Sequence, residues 1–531
     1  MSAMQRLARL NAAEVLVDSH LTLDRAEKTA ILSGDRVVSY RQLAEAVNRF
    51  GHALLELGVR MEERVTFLLP DCPEWVYVFF GAIKMGAVAI PMNNLLSSKE
   101  YEYLLNDCRA RVLVLHAALV DRIGPIRDRL PHLDHVIMVG GKPTWELGFD
   151  ALMERSLPYL EPADTISDDV AFWLYSSGTT GVPKGAIHLQ HDMLIAADAY
   201  ARDTIGLRES DVSFSVAKMF FAYGLGNGLY FPLRTGGTTV LLPDRPLPDI
   251  VFATIDRHQP TVFYGVPTSY AALLHTAEKA GRTSLGRVRL CISAGETLPR
   301  HIFQRWRDRF GIEILDGIGS TEILHIFISN RPGQAKPGST GQVVPGYEAK
   351  IVDETGLPLP AGRVGTLMIK GDSIAAGYWN QHQATMQTFC GEWIDTHDKF
   401  MVDHEGYYWY AGRSDDMLKV SGQAVWPAEV EGLLLGHPSV LESCVTGAAD
   451  DEGLLKVVAY VVLKDGYPPS PELARAIQEF VKTTTSPHKY PRAVVFVEAL
   501  PKTTNGKIKR HELRHRAAVD GVLRHASRTR S

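Results

Sequence analysis

Apolar residues along the chain follow two alternating periodicities. Residues 40–57 place Leu43, Val47, Phe50 and Leu54 three or four positions apart, which is the spacing of an amphipathic helix. Apolar runs of strand length alternate with helical patterns at residues 64–70, 111–115, 135–139, 238–242, 261–264 and 288–292. Because strands that alternate with helices pair in parallel through crossovers, the pattern predicts doubly wound α/β subdomains.

The pattern changes after about residue 335, where Gly and Pro become dense between short apolar runs. This texture predicts a small β-rich subdomain. From about residue 416, strand and helix patterns return at residues 429–435, 455–463, 471–483 and 493–497. A segment of roughly 115 residues is long enough to have its own core, so we predict a compact α+β domain at the C-terminal end.

The composition narrows the class of protein. At 531 residues the chain is several times the usual domain length, so more than one folded unit is expected. Hydrophobic residues make up 45% and charged residues 22%, which is ordinary for a globular enzyme and too apolar for a disordered chain. Lys and Arg total 56 against 61 Asp and Glu, and the net charge of −5 argues against nucleic acid as the main partner.

Neither a membrane nor an oxidising compartment is expected from the sequence. The most apolar stretch, residues 75–83, ends at Lys84 and falls short of the roughly 18–20 residues that span a bilayer. The N-terminal residues lack the apolar core of a secretory signal. The five cysteines form no CxxC pair, which favours reduced, mostly buried thiols and a cytoplasmic protein without a zinc site.

A motif rich in hydroxyl groups and glycine, YSSGTTGVPKGA, occupies residues 175–186. It follows an apolar run, so we predict a loop that leaves a strand. Glycines let backbone N–H groups approach phosphate oxygens, hydroxyls donate further hydrogen bonds, and Lys184 adds charge. The motif is not a Walker A loop, because Pro183 precedes the lysine and Gly185 follows it. Composition by itself leaves a flexible surface turn as an alternative.

Three further motifs carry candidate chemistry. We predict that residues 316–322, DGIGSTE, form a second loop after a strand. The motif ends in two hydroxyls beside Glu322, which suits a phosphate and its Mg²⁺, although an N-cap explains the same residues. The others are YAGRSDDMLKVSG at 410–422 and PKTTNGKIKR at 501–510. Taken in isolation, Lys507 in the last motif would be a solvated surface lysine.

Together these motifs, with GYWN at 377–380, resemble the adenylate-forming superfamily of acyl- and aryl-CoA synthetases, peptide-synthetase adenylation domains and luciferases. The resemblance covers residues 40–510. It departs at His397, where the family often has Gly, and at Asn505, where Thr is frequent. It implies that a carboxylate attacks the α-phosphate of ATP, giving an acyl-adenylate and pyrophosphate, and that the thiol of coenzyme A then displaces AMP.

The resemblance also implies roles for individual residues. The phosphates of ATP would be held by Ser176, Ser177, Gly178, Thr179, Thr180 and Lys184. Adenine and ribose would be held by Ala294, Gly295, Glu296, Asp316, Gly317, Ile318, Asp398 and Arg413. Thr321 would contact the α-phosphate and Glu322 would ligate Mg²⁺, while Lys507 would bridge the substrate carboxylate and the α-phosphate.

Asp415 matches the hinge position of the family. The resemblance therefore implies an N-terminal adenylation domain at residues 1–414 and a mobile C-terminal domain at residues 415–531. Rotation at the hinge would withdraw Lys507 and bring three residues toward the pantetheine channel of coenzyme A: Lys419, Ser421 and Gly422. A turn capped by acidic side chains is an alternative role for Asp415.

The acid pocket implied by the resemblance lies between the segment KMFFAYGLGNG at 218–228 and the residues after Glu322. Its predicted walls are Phe221, Ala222, Tyr223, Tyr264, Gly265, Gly317, Gly319, His325 and Ile326. Aromatic rings beside glycines favour a flat ring over a long acyl chain, and the segment resembles the benzoate–CoA ligase branch. An aromatic run is also typical of a plain core, and His325 is either a partner for a ring substituent or a core histidine.

We therefore predict an ATP-dependent ligase for benzoate or a close substituted benzoate, acting as a monomer or homodimer. Two alternatives stay open from the sequence, and two others are disfavoured. The enzyme could load a carrier protein, or it could use another small aryl or short-chain acid. A non-catalytic nucleotide-binding protein would require the charged residues of the motifs to be missing, and a P-loop phosphotransferase is disfavoured by the absent Walker pattern.

Overall fold

The computed structural model describes residues 9–177, 183–413, 416–420, 423–450, 454–485, 489–502 and 508–519. Within these ranges, no helix combines the length and the apolarity needed to cross a bilayer. All five cysteines are free, and four of them are buried, with Cys390 exposed.

The larger of two α/β sheets has nine strands. In spatial order they are Gln342–Val343, Ile326–Ser329, Ile314–Gly319, Leu290–Ser293, Val262–Gly265, Val212–Ser215, Thr238–Val240, Thr29–Ser33 and Arg36–Ser39. The central strands pair in parallel, and antiparallel pairs occur toward both edges. Interior strands such as Val262–Gly265 are buried along their whole length, as expected when helices cover both faces.

The second α/β sheet has seven strands. In spatial order they are Leu147–Gly148, His135–Val139, Val112–His116, Arg64–Leu68, Val88–Pro91, Val170–Ser177 and Pro183–Leu189. Every neighbouring pair is parallel except the last, which is an antiparallel hairpin. The strand at one edge of this sheet, Pro183–Leu189, therefore carries Lys184.

The helices confirm the amphipathic pattern of the sequence. The predicted helix spans Tyr40–Glu56, and Ser39 begins it with a capping box. The apolar stretch at 75–83 is the helix Pro73–Lys84, which is buried at every position except Glu74. The other α-helices are Ser19–Thr22, Ser98–Asp107, Val120–Ile123, Phe149–Arg155, Asp192–Ala196, Ala222–Leu225, Phe231–Thr235, Pro248–His258, Pro267–Lys279, Arg300–Phe310, His382–Thr388, Pro427–Leu434, Pro471–Thr484 and Arg510–Val519. Shorter π and 3-10 helices are Glu14–Asp18, Ala117–Leu119, Gly124–Arg129, Ala197–Arg202, Gly226–Tyr230 and Thr321–Ile323.

The predicted β-rich subdomain is an antiparallel sheet of five strands. They are Glu348–Val352, Gly365–Lys370, Phe389–Cys390, Trp393–Val402 and Tyr408–Arg413. The C-terminal region forms a hairpin and a three-stranded sheet: Leu418–Val420 with Gln423–Val425, and Val440–Ala449 with Leu455–Leu463 and Ala493–Phe496. Two hydrophobic clusters built only from residues after 417 give this region a core of its own. The predicted fold class is confirmed, whereas the boundary at Asp415 lies outside the described residues and stays a prediction.

Two motifs that we predicted as loops are partly strands. The first strand of the hairpin runs on to Ser177, and the second begins at Pro183, so Lys184 lies on a strand. The reason is cross-strand pairing, since Ser176 lies opposite Lys184 in the hairpin register. In the same way, residues 316–319 continue the strand Ile314–Gly319 because they pair with a neighbouring antiparallel strand.

Candidate active site

The hydroxyl-rich motif occupies both strands of the hairpin at the edge of the seven-stranded sheet. Ser176 and Lys184 face each other in its register. The described residues exclude Gly178, Thr179 and Thr180, and of Ser177 they include only the backbone. The first strand of the hairpin pairs in parallel with Val88–Pro91, and the motif lies at its carboxyl end. Open α/β sheets bind ligands at the carboxyl ends of their parallel strands, so this position suits a binding site.

Glu322 lies beside this hairpin and is held by two hydroxyl groups. The Tyr378 hydroxyl donates to Glu322 Oε1 at 2.8 Å, and Ser176 Oγ donates to the same oxygen at 3.4 Å. Glu322 belongs to the 3-10 turn Thr321–Ile323, which Ser320 begins by accepting a hydrogen bond from the backbone amide three residues later. The N-cap interpretation of this motif is therefore correct, and the cap holds the turn that brings the carboxylate to the hairpin.

A buried histidine joins the hairpin to the same turn. His188 Nε2 donates to the carbonyl oxygen of Thr321 at 2.8 Å, and its Nδ1 lies 2.8 Å from Asp192 Oδ2. The ring stacks on Phe172, with centroids 5.1 Å apart. Our sequence analysis did not predict a role for His188. It could have done so, because His188 lies four positions after Lys184 on the same strand, and side chains at that spacing share a face.

The segments predicted to hold adenine lie at the carboxyl ends of neighbouring parallel strands. Ser293 lies opposite Asp316 in the register. The predicted residues therefore lie close together, with Ala294, Gly295 and Glu296 after one strand and Gly317 and Ile318 along the other. The Asp316 carboxylate is buried and accepts from the Leu298 amide at 3.4 Å, and burial raises the pKa of Asp316 well above its ordinary value.

The pair predicted to hold the ribose lies in the five-stranded sheet. Asp398 lies opposite Arg413 in two antiparallel strands, and Arg413 Nη1 is 3.5 Å from Asp398 Oδ1. The preceding residue, His397, has a left-handed backbone with a φ of 57°. Gly adopts this conformation without strain, which explains physically why the family often has Gly at this position.

Tyr223 is central to the predicted acid pocket. Its hydroxyl lies 3.1 Å from the carbonyl oxygens of both Gly265 and Ile292, to which it donates. Burial raises the pKa of Tyr223 well above its ordinary value, so the hydroxyl stays protonated. These bonds fix the aromatic segment on the ends of two parallel strands.

His325 lies beside Tyr223 and is 2% exposed. Its Nε2 donates to the Tyr223 carbonyl oxygen at 3.3 Å, and the two rings lie 5.6 Å apart. Burial lowers the pKa of His325 to about 3, so the ring is neutral. Its Nδ1 has no hydrogen-bond partner among the described residues. A Cβ at Gly226 would lie 2.6 Å from His325 Cδ2, so glycine is needed there to admit the ring.

The other predicted pocket residues differ in exposure. Phe221 and Ala222 are partly exposed, and Tyr264 and Ile326 are buried. Gly317 and Gly319 lie on the strand that pairs with Ile326–Ser329. A Cβ at Gly319 would lie 2.6 Å from the His325 carbonyl oxygen, so this glycine permits the close approach of the two strands.

The residues predicted to act from the C-terminal domain are only partly described. Asp415, Ser421, Gly422 and Lys507 lie outside the described residues, and Lys419 has only its backbone described, on the strand Leu418–Val420. Arg510, which the sequence analysis did not single out, forms ion pairs with Glu431 and, at 3.3 Å, with Asp416. The hinge and the role of Lys507 stay predictions.

Two α/β sheets, a hydroxyl-rich hairpin beside a carboxylate and a separate C-terminal α+β region are together the architecture of adenylate-forming enzymes. The chain belongs to the AMP-binding enzyme family. The family model matches residues 22–379, and the model of the AMP-binding enzyme C-terminal domain matches residues 429–507.

Individual relatives match over nearly the whole chain. The benzoate–CoA ligase of Thauera aromatica is 47% identical over 508 residues, covering 95% of this chain and 96% of the relative. The crystal structure of the anthranilate CoA ligase AuaEII in complex with anthranoyl-AMP gives a TM-score of 0.93 at 43% identity, covering 98% of this chain and 100% of that one. The benzoate CoA ligase from Burkholderia xenovorans LB400 gives a TM-score of 0.87 at 44% identity, covering 95% and 99%.

These matches confirm the predicted superfamily and fold class, and the predicted enzyme class of AMP-forming acid–thiol ligase. The roles of individual site residues stay predictions.

Proposed function

We propose that this chain is an ATP-dependent aryl-CoA ligase. It activates benzoate or a close substituted benzoate as aryl-AMP, with release of pyrophosphate, and then forms the aryl-CoA thioester and AMP. The observation that carries the proposal is that one short segment, residues 321–325, contacts both parts of the site. Its Glu322 accepts a hydrogen bond from Ser176 of the hairpin, and its His325 contacts Tyr223 of the predicted acid pocket. The likeness to benzoate–CoA ligases over nearly the whole chain supports the same substrate class.

Ser176 and Lys184 would contact the phosphates of ATP, together with the hairpin residues between them. Asp398 would accept hydrogen bonds from the ribose hydroxyls, with Arg413 close by. Reactions at phosphorus need positioning and charge neutralisation more than covalent help from the protein, and this set of groups suits that requirement.

Glu322 fits a Mg²⁺ ion, because its carboxylate is partly exposed and both of its hydrogen bonds from described residues end on one oxygen. No three His, Cys, Asp or Glu side chains within the described ranges converge as metal ligands. That agrees with Mg²⁺, which is usually held by one or two carboxylates, waters and the substrate phosphates. When bound, the ion would neutralise phosphate charge.

The ring of the aryl acid would lie against Tyr223 and the glycine-rich strand ends. The neutral ring of His325 cannot supply the cation that a benzoate carboxylate requires, because its pKa is lowered to about 3. Lys507 is the residue that we propose for this role. After adenylation, a rotation at Asp415 would withdraw Lys507 and bring Lys419, Ser421 and Gly422 toward coenzyme A.

The proposal also includes a cytoplasmic location, a role in the degradation of aromatic acids, and a monomer or homodimer as the functional unit. The experiment is pyrophosphate release and thioester formation across a panel of benzoates, short fatty acids and amino acids, with and without coenzyme A. We expect benzoates to react fastest and to give the thioester with free coenzyme A. Adenylation of benzoates without any thioester product would favour the loading of a carrier protein, and turnover of only short-chain acids would contradict the aryl assignment.

A further inference from the structure

The GYWN motif at residues 377–380 has no role in the reaction described so far. Its backbone runs antiparallel beside the outer strand of the hairpin. The Ile187 amide donates to the Gly377 carbonyl oxygen at 3.0 Å, and Ala186 forms an antiparallel bridge with Tyr378. The motif thus extends the hairpin by one short segment, fastened to the strand that carries Lys184.

Successive side chains of this segment point to opposite faces, as in any extended chain. Trp379 packs on Trp173, with ring centroids 4.5 Å apart, and its indole nitrogen donates to the Asp107 carbonyl oxygen at 2.9 Å. Tyr378 points to the other face, where its hydroxyl meets Glu322. The indole therefore anchors the segment, and the phenol is directed at the candidate active site.

Tyr378 touches two residues that we propose to bind ATP and its metal. Its hydroxyl donates to Glu322 Oε1 at 2.8 Å, and Lys184 Nζ lies 5.2 Å from the centre of its ring. The side chain is 9% exposed.

Lys184 and Glu322 are opposite charges that contact the same phenol, yet no ion pair joins them in the described chain. A direct pair would neutralise both groups before ATP arrived. The phenol gives the carboxylate an uncharged donor, and its ring gives the ammonium group a cation–π contact. Both charges are thereby held in place and stay available to a ligand.

We propose that Tyr378 is a positioning residue for both Glu322 and Lys184. Its hydroxyl orients the carboxylate toward Mg²⁺, and its ring holds the ammonium group toward the phosphates. This inference rests on the proposed function of those two residues. Partners of metal ligands typically change metal affinity by about 10–100-fold when removed.

The test measures the Mg²⁺ concentration needed for half-maximal ATP binding, by calorimetry on the full chain without any aryl acid. Y378F removes only the hydroxyl, and we expect it to raise this concentration about tenfold. In an E322Q background the same change is expected to have less than about a twofold effect, because the carboxylate that the hydroxyl orients is gone. Y378L also removes the ring, and we expect a further loss of ATP affinity in EDTA that Y378F does not cause.

Tyr347 provides a matched control. It is a buried tyrosine whose hydroxyl bonds Ser373 Oγ at 2.6 Å, and Ser373 in turn donates to the carbonyl oxygen of Ile323, next to Glu322. Y347F therefore removes a buried hydrogen bond near the same turn without touching the carboxylate. We expect it to lower the melting temperature about as much as Y378F does, and to leave the Mg²⁺ requirement within about twofold of the wild type.

Two results would overturn the role of the hydroxyl: a Mg²⁺ requirement of Y378F within twofold of the wild type, or an equal effect of Y378F with and without E322Q. Equal ATP affinities of Y378F and Y378L in EDTA would overturn the role of the ring. These results can be told apart from failure of the proposed function, because ATP binding is measured without an aryl acid. If the proposed function is wrong, the wild-type protein will activate no benzoate.

Discussion

The charged residues beside the hairpin of the large domain and Arg510 of the C-terminal domain have different kinds of partner. Beside the hairpin of the large domain, Glu322 and Lys184 contact the uncharged Tyr378 and Ser176, and the described residues provide them with no ion pair. In the C-terminal domain, Arg510 is 19% exposed and forms ion pairs with the carboxylates of Glu431 and Asp416.

A charge that is neutralised inside the protein has little left to offer a ligand, and removing its partner leaves an uncompensated buried ion. The contrast therefore separates the two kinds of charged group. Under the function that we propose, Glu322 and Lys184 remain available to a ligand, whereas the ion pairs of Arg510 stabilise the C-terminal domain.

The largest expected effect is on stability, from R510M. The change leaves the Glu431 carboxylate, 15% exposed, without its cation. We expect the free energy of unfolding of the C-terminal domain to fall by about 3–5 kcal/mol, measured by urea unfolding. The control is R514M, because Arg514 is 44% exposed and contacts Asp416 at 3.2 Å. It is expected to lose less than about 1 kcal/mol, and equal losses in the two variants would contradict a structural role for the buried pair.

The next effect is on rate, from K507A, three positions earlier in the sequence. If Lys507 faces the ligand, its loss is expected to slow pyrophosphate release by roughly 10²–10³-fold, as for other preorganised donors. The free energy of unfolding is expected to stay unchanged, and thioester formation from ready-made aryl-AMP is expected to suffer much less. Equal losses in both half-reactions would remove the role that we propose for this lysine.

A smaller effect concerns the neutral charge state of His325. Burial lowers the pKa of His325 to about 3 in the folded chain, whereas the unfolded chain binds the proton near pH 6.5. The unfolded state therefore gains protons first, and stability falls as the pH drops below 6.5. Between pH 6.5 and 5 this histidine is expected to account for about 2 kcal/mol of the loss. H325Q should show a shallower dependence in urea unfolding at the two pH values; an identical slope would mean that His325 is not neutral in the fold.

The smallest effect is at His397, beside the proposed ribose-binding Asp398. Its left-handed backbone, with a φ of 57°, is costly for a residue with a Cβ. We expect H397G to raise the free energy of unfolding by about 0.5–1 kcal/mol, detected as a higher melting temperature. H397A keeps the Cβ and serves as the control, with no gain expected. A gain in H397A as large as in H397G would trace the effect to the imidazole instead of the backbone.

The sequence was sufficient to predict the α/β architecture. Strands that are buried on both faces appear as continuous apolar runs, and the amphipathic helices between them appear as mixed apolar and polar patterns. The helix at 40–56 and the strands at 64–68 and 135–139 lie where the periodicity indicates. Motif composition was misleading at two strand ends. Ser, Gly and Asp favour turns locally, and only pairing with distant strands extends the sheet through Ser176 and through residues 316–319.

In the candidate site, too, contacts between distant segments could not be predicted from the sequence. The chemistry of Lys184 and Glu322 could be inferred from residue types, but their shared contact with Tyr378 could not, since it joins three segments far apart in the sequence. His188 could have been predicted from its strand face. Its hydrogen bond to the Thr321 carbonyl oxygen could not, because no side-chain pattern marks a backbone acceptor.

The hairpin that carries Lys184 lies at the margin of the seven-stranded sheet, where unpaired backbone groups invite pairing with another molecule. Residues 376–379 cover this margin, for example where the Trp379 amide donates to the Gly185 carbonyl oxygen at 2.9 Å. Besides the proposed role of Tyr378, these residues therefore protect the outer strand from such pairing. A chain that ended before residue 376 would expose the outer strand, and self-association through that strand is the consequence to expect.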